Sequence, residues 1–175
     1  MQRIQKVSRG MVVVLTGALV ATELLIVAFL FYPELSVQPF YAAQIVSSDG
    51  PALVPWQRMV IAGLAILGLA PAFYIMWQFR ALFRLFAAGY IFTATATAHL
   101  FKAAKGMVLG GLIAITNTTL GALVLTANAP TGQHVFTVSV SSGQLAGILA
   151  GVIFVVMGWV MQEAARLSDE NKGFV

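Results

Sequence analysis

Residues 11–32, MVVVLTGALVATELLIVAFLFY, contain a single charged side chain, Glu23. A helix rises about 1.5 Å per residue, so a run of this length crosses a hydrocarbon core about 30 Å thick. Three comparable runs follow at about 57–78, 106–127 and 142–162. The chain of 175 residues is 59% hydrophobic and 9% charged, with mean hydropathy +0.90, whereas a soluble domain is about 25% charged. So few charges cannot clothe a water-facing surface. The expected architecture is an all-α membrane protein, a four-transmembrane-helix bundle forming one domain over residues 1–175. Arg3, Lys6 and Arg9 ahead of the first run resemble the start of a signal peptide. The run is too long for one and no small-x-small cleavage motif follows it closely, so it reads as a retained first helix.

Punctuation between the runs sets their limits. Pro33 stops the first, because proline cannot continue a helix and restrains the residue before it. An outer loop over 33–56 carries Pro33, Pro39, Pro51 and Pro55. Pro71 lies inside the second run and predicts a kink there. Beyond that run, Arg80 and Arg84 fall on one helical face and Phe79, Phe83 and Phe86 on another, which predicts a cytoplasmic interfacial helix lying among headgroups. Gly89 is placed to end it, and Thr93 to cap the next helix. Asn128, Pro130 and Gly132 mark a turn. The weak alternation over 135–140 predicts a short outer strand, pairing with 44–47 in a small β-hairpin.

Basic residues are held on the cytoplasmic side of a membrane. Arg3, Lys6, Arg9, Arg80, Arg84, Lys102, Lys105, Arg166 and Lys172 flank one set of span ends, and only Arg58 flanks the other. Both termini and the middle loop are therefore expected in the cytoplasm, in a multi-pass protein of the inner membrane. The net charge of +4 then reflects topology and contact with anionic lipid headgroups, and nucleic acid is not an expected partner. Cysteine is absent, which excludes disulfides, thiolate nucleophiles and cysteine-ligated metals.

The string Leu82-Phe83-Arg84-Leu85-Phe86-Ala87-Ala88-Gly89-Tyr90-Ile91-Phe92-Thr93, with His99-Leu100-Phe101-Lys102 and Gly106, resembles the domain of unknown function 2975 family of bacterial membrane proteins. So do Glu163-Ala164-Ala165-Arg166-Leu167, Glu170-Asn171 and Gly173-Phe174-Val175, and the opening Arg3-Ile4-Gln5-Lys6-Val7-Ser8 is compatible. The resemblance implies a small four-span bacterial inner-membrane protein with no assigned activity, sometimes found beside small helix-turn-helix regulators. The small stretch 94–98 and Lys105 depart from the pattern. The resemblance carries over no catalytic or ligand-binding residue.

Glu23 lies near the middle of the first span, where a carboxyl group costs about 2.5–3.5 kcal/mol unless paired, hydrated or neutral. Thr116 and Asn117 fall at similar depth in the third span. The three are expected to form an intramembrane polar cluster. In the bland reading it is interhelical glue, and in the functional one Glu23 titrates or binds a cation. Gly143, Gly147 and Gly151 repeat every fourth residue, which lets another helix approach closely. They are assigned to helix packing. Trp56, Trp77 and Trp159 read as headgroup-level anchors. Arg80, Arg84, Lys102 and Lys105 form the expected cytoplasmic basic face.

No catalytic residue, metal site or cofactor is expected. His99 and His134 fall on opposite sides of the membrane, no Gly-x-Ser-x-Gly elbow occurs, and Glu23 is the only acidic residue deep in a span. The leading reading is a non-enzymatic regulatory or accessory subunit acting through helix and cytoplasmic-face contacts, with a membrane-protein or cytoplasmic regulatory partner or a second copy of itself. One alternative is a small proton- or cation-coupled transporter or channel using Glu23. Another is a subunit of a larger respiratory or photosynthetic membrane complex.

Overall fold

The computed structural model describes residues 2–42, 53–128, 138 and 140–172. Its long helices are α1 (Gln2–Phe31), α3 (Pro55–Ala87), α4 (Ala94–Thr126) and α5 (Ser142–Lys172); a 3-10 turn (Pro33–Val37) and the short α2 (Gln38–Ala42) separate α1 from α3. Four helices are long and apolar enough to cross a membrane, so the protein is an all-α, four-helix, multi-pass membrane protein. Among the described residues there is no strand. Most of the segments expected to pair as a hairpin lie outside the described residues, and Val138 and Val140 are exposed without regular structure.

Local chemistry accounts for the helix ends. Helix α1 stops at Phe31, two residues before Pro33. Helix α3 ends in a Schellman motif: Gly89 takes φ +92°, its N–H donates to Phe86 O at 3.1 Å, and the Tyr90 N–H donates to Leu85 O at 2.9 Å. That left-handed position suits glycine, and the two bonds satisfy carbonyls the last turn would leave open. The Thr93 hydroxyl accepts from the Ala96 N–H at 3.3 Å and caps α4. At the start of α5, Ser141 Oγ accepts from the Gln144 N–H (3.2 Å) and Gln144 Oε1 from the Ser141 N–H (2.8 Å), a capping box.

One expectation is corrected here. Residues 79–86 do not form a separate interfacial helix; α3 runs unbroken through them to Ala87. Likewise α4 already begins at Ala94, ahead of the apolar run. At 33 residues each, these helices are about 50 Å long and overshoot the roughly 30 Å hydrocarbon core. The overshoot falls at the end that carries both termini and the α3–α4 turn, called the terminal end below; the other is the distal end.

The helices pack antiparallel in a row: α1 on α3, α3 on α4, and α4 on α5. Among the described residues, α1 makes no backbone-level contact with α4 or α5. Two clusters tie the row at its ends. At the distal end, Val37, Ile61 and Leu125 pack with Phe40, Leu64 and Val124, so the 3-10 turn and α2 cap α3 and α4. At the terminal end, Leu82, Ala96 and Leu100 pack with Phe79, Phe86, Phe154 and Met161, drawing α5 against α3 as well as α4. Between the clusters α3 and α5 part, leaving a cleft of about 540 Å³ floored by α4.

Candidate functional site

The expected cluster of Glu23, Thr116 and Asn117 is not assembled. Helix α3 stands between α1 and α4, so equal depth does not become contact. Glu23 is exposed on α1. The Thr116 hydroxyl is exposed and donates back to Leu112 O of its own helix at 3.1 Å. Asn117 turns instead to α3, where Nδ2 donates to Leu64 O at 2.8 Å. Gly68 permits this, because a Cβ there would lie 2.7 Å from Asn117 Nδ2. Asn117 Oδ1 is buried without a hydrogen-bond partner.

Other polar side chains, which the sequence reading did not single out as sites, do cross between helices. At the distal end Gln57 is buried at 1% exposure. Its Nε2 donates to Val124 O at 2.7 Å, and its Oε1 accepts from the Val54 N–H at 3.1 Å. Near the terminal end the buried Gln78 Oε1 lies 2.8 Å from His99 Nδ1, which fixes that nitrogen as the N–H tautomer. Arg80 Nε donates to Thr16 Oγ1 of α1 at 2.8 Å, and its guanidinium carbon lies 5.8 Å from the Trp77 ring centroid. Glutamine side chains near the ends of apolar runs were the available signal for Gln57 and Gln78; nothing in the pattern assigned their partners.

Arg84, Lys102 and Lys105 are exposed at the terminal end, while Arg80 is drawn into the α1–α3 seam. Trp56, Trp77 and Trp159 are exposed. Among the described residues the ion pair is Arg166–Glu163, 2.7 Å apart within α5. No group of three His, Cys, Asp or Glu there could hold a metal ion.

The three spaced glycines divide in use. At Gly151 a Cβ would lie 2.9 Å from Val108 Cγ2 and 3.0 Å from Ala104 O, so that glycine seats α5 on α4. At Gly147 a Cβ would meet nothing within 4 Å, and at Gly143 only Ser141 Oγ at 3.9 Å. Both line the cleft. Opposite them stand Pro71 and Met76 of α3, with Gly110 and Ala114 of α4 as the floor. Among the described residues no charged side chain lines it, and Glu23 is not part of its lining.

Residues 21–173 match the family described as "Protein of unknown function (DUF2975)". The chain belongs to that family. The match takes in α3 and α4 whole, the second half of α1 and nearly all that follows, and leaves the opening Arg3–Ser8 outside. No curated protein and no solved structure matches the chain. The family assigns no activity to any DUF2975 residue, so what these residues do must be argued from their surroundings.

Proposed function

We propose that this DUF2975 protein is a non-enzymatic accessory or regulatory membrane subunit that works by docking a partner against α1. The observation that carries the reading is Glu23. It stands exposed on a helix that packs only on α3 among the long helices, at a depth where an unpaired carboxyl group costs about 2.5–3.5 kcal/mol. A partner helix offering a cation or a hydrogen-bond donor at that depth would recover much of this cost. Thr16, seven residues earlier and about 10 Å along the axis, lies on nearly the same flank but is already engaged by Arg80.

The charge distribution supports an inner-membrane orientation with both termini in the cytoplasm, nine basic residues against one. The overshooting helix ends would then stand in the cytoplasm with Arg84, Lys102 and Lys105 available to anionic headgroups or a regulatory protein. A transporter working through Glu23 draws less support, because that carboxyl group and the cleft lie on different helices.

Photo-crosslinking in native membranes from positions 20, 24 and 27 of α1 tests the docking reading. A discrete heteromeric adduct that is lost in Glu23→Leu is expected. Recovery of lipid and self adducts alone would remove its basis.

A further inference from the structure

We propose that Lys102 and Lys105 of α4 hold the phosphate of an anionic phospholipid below the headgroup level set by α1 and α5, with its acyl chains lying along Leu109 and Leu112. This deepens the headgroup contact assigned to the basic end and is separate from the docking assigned to α1.

The register of the row fixes the depth of the two lysines. Arg80 of α3 bonds Thr16, which stands five residues inside the apolar run that opens at Met11, about 7–8 Å. Two residues deeper in α3, Gln78 bonds His99, so α4 passes that level at His99. Lys102 and Lys105 come three and six residues further toward the middle of the bundle, about 4.5 and 9 Å. Helix α5 gives the same result from the other edge. Phe101 packs on Gly158, where a Cβ would lie 2.9 Å from Phe101 Cε1, and Gly158 is already four residues inside the run that ends at Gln162. The lysines thus stand on the order of 10 Å inside the level at which the apolar runs of both outer helices end.

Both lysines face outward at this depth. Exposed positions of α4 recur at Lys102, Lys105, Leu109, Leu112 and Thr116, while Ala103, Ala104 and Gly106 between them are buried. The two cations therefore continue the stripe that meets lipid. A spacing of three brings their Cβ atoms to about 5–6 Å, near enough for both ammonium groups to meet one phosphate. Among the described residues neither lysine forms an ion pair. Glu23 lies beyond α3, and Glu163 of α5 is paired with Arg166 and level with Ala96, a turn and a half short of Lys102.

Charge and place together name the occupant. A cation facing hydrocarbon is costly unless it is paired or reaches water, and snorkelling moves an ammonium group only by the length of its stem. Two ammonium groups with no carboxylate beside them call for an anion rather than a zwitterion. A water-borne protein or free anion would have to leave water to reach this stripe. A phospholipid already carries its phosphate on hydrocarbon chains, and Leu109 and Leu112 continue the stripe toward the middle of the bundle to receive them. Basic sites beside transmembrane helices bind anionic headgroups in this way.

Cysteine is absent from the chain, so Leu109→Cys carries a single bimane reporter on the stripe. Val20→Cys carries one on α1, where Val20 is 50% exposed. Each full-length protein is reconstituted in phosphatidylcholine vesicles with increasing brominated phosphatidylglycerol or, in parallel, brominated phosphatidylcholine. Quenching at position 109 is expected to favour phosphatidylglycerol several-fold, with no preference at position 20. Lys102→Gln combined with Lys105→Gln is expected to abolish that preference, with circular dichroism and gel filtration as checks on the fold. Glu23→Leu is expected to leave it intact, so this proposal and the docking reading fail separately. Equal quenching by the two lipids at position 109, or a preference surviving in the folded double variant, would overturn the proposal. So would an equal loss in Arg84→Gln, which would show a diffuse basic surface, or loss in millimolar inorganic phosphate, which would assign the site to a water-borne anion. Photo-crosslinks from position 109 in native membranes that recover a protein in place of lipid would overturn it as well.

Discussion

Along the α3–α4 seam, backbone meets side chain at Gly68, Gly106 and Gly110, and polar groups cross at Gln57, Asn117 and the Gln78–His99 pair. The α1–α3 seam is plainer. It buries Leu19 and Phe29 of α1 and crosses once with a described hydrogen bond, Arg80 to Thr16. In lipid no hydrophobic force draws two apolar helices together, so close backbone approach and interhelical hydrogen bonds must do it. The contrast makes α3 and α4 the rigid centre of the molecule. Helix α1, which packs on α3 alone among the long helices, is the peripheral element.

The largest effect separating the two seams should come from glycine. At Gly106 a Cβ would lie 3.0 Å from both Tyr74 Cδ1 and Ile75 Cγ1. Gly106→Leu is expected to destabilise by about 1–3 kcal/mol through overpacking, read as an earlier midpoint in detergent-driven unfolding. Gly17→Leu, where a Cβ meets nothing within 4 Å, should leave that midpoint in place. Equal losses at both positions would erase the distinction between centre and periphery.

A comparable but more local effect is expected at Gln57. Gln57→Leu strands the Val54 N–H and takes a donor from Val124 O at the distal end. Leaving a buried polar group unpaired costs about 1–3 kcal/mol. Hydrogen exchange should accelerate at the start of α3 while the Gln78–His99 level stays protected. Uniform acceleration along α3 would mean that the seam opens as one unit.

The smallest effect belongs to α1. Thr16→Val removes the acceptor for Arg80 Nε, and interhelical hydrogen bonds of this kind average about 0.6 kcal/mol. Little change in global stability is expected, but cysteines placed across the α1–α3 seam should crosslink more slowly. A loss as large as that of Gly106→Leu would show that α1 belongs to the centre after all.

The four spans, the stop before Pro33, the Gly89 terminus and the Thr93 cap were all legible, because each depends on residues close in the chain. Hydropathy was a poorer guide to where helices end at the terminal side. It reports where lipid lies, whereas helical hydrogen bonding continues into α3 beyond Gln78 and starts in α4 at Ala94. Arg80, which reads as a headgroup-level residue, and His99 find partners on neighbouring helices. The four-residue glycine spacing predicted a packing stripe, but spacing cannot say whether a helix or an empty cleft faces each turn. One stripe therefore holds Gly151, wedged against α4, and Gly147, facing open space.

Depth along the membrane normal follows from counting residues at a fixed rise, and it placed Glu23 and Asn117 at nearly the same level with no coordinates at all. Lateral neighbours do not follow in that way, because a row and a ring of four antiparallel helices share the same hydropathy and the same charge asymmetry. The packing of α3 between α1 and α4 parted those two residues. It gave Asn117 to the Leu64 carbonyl, left Glu23 facing outward, and opened a cleft where α3 and α5 diverge.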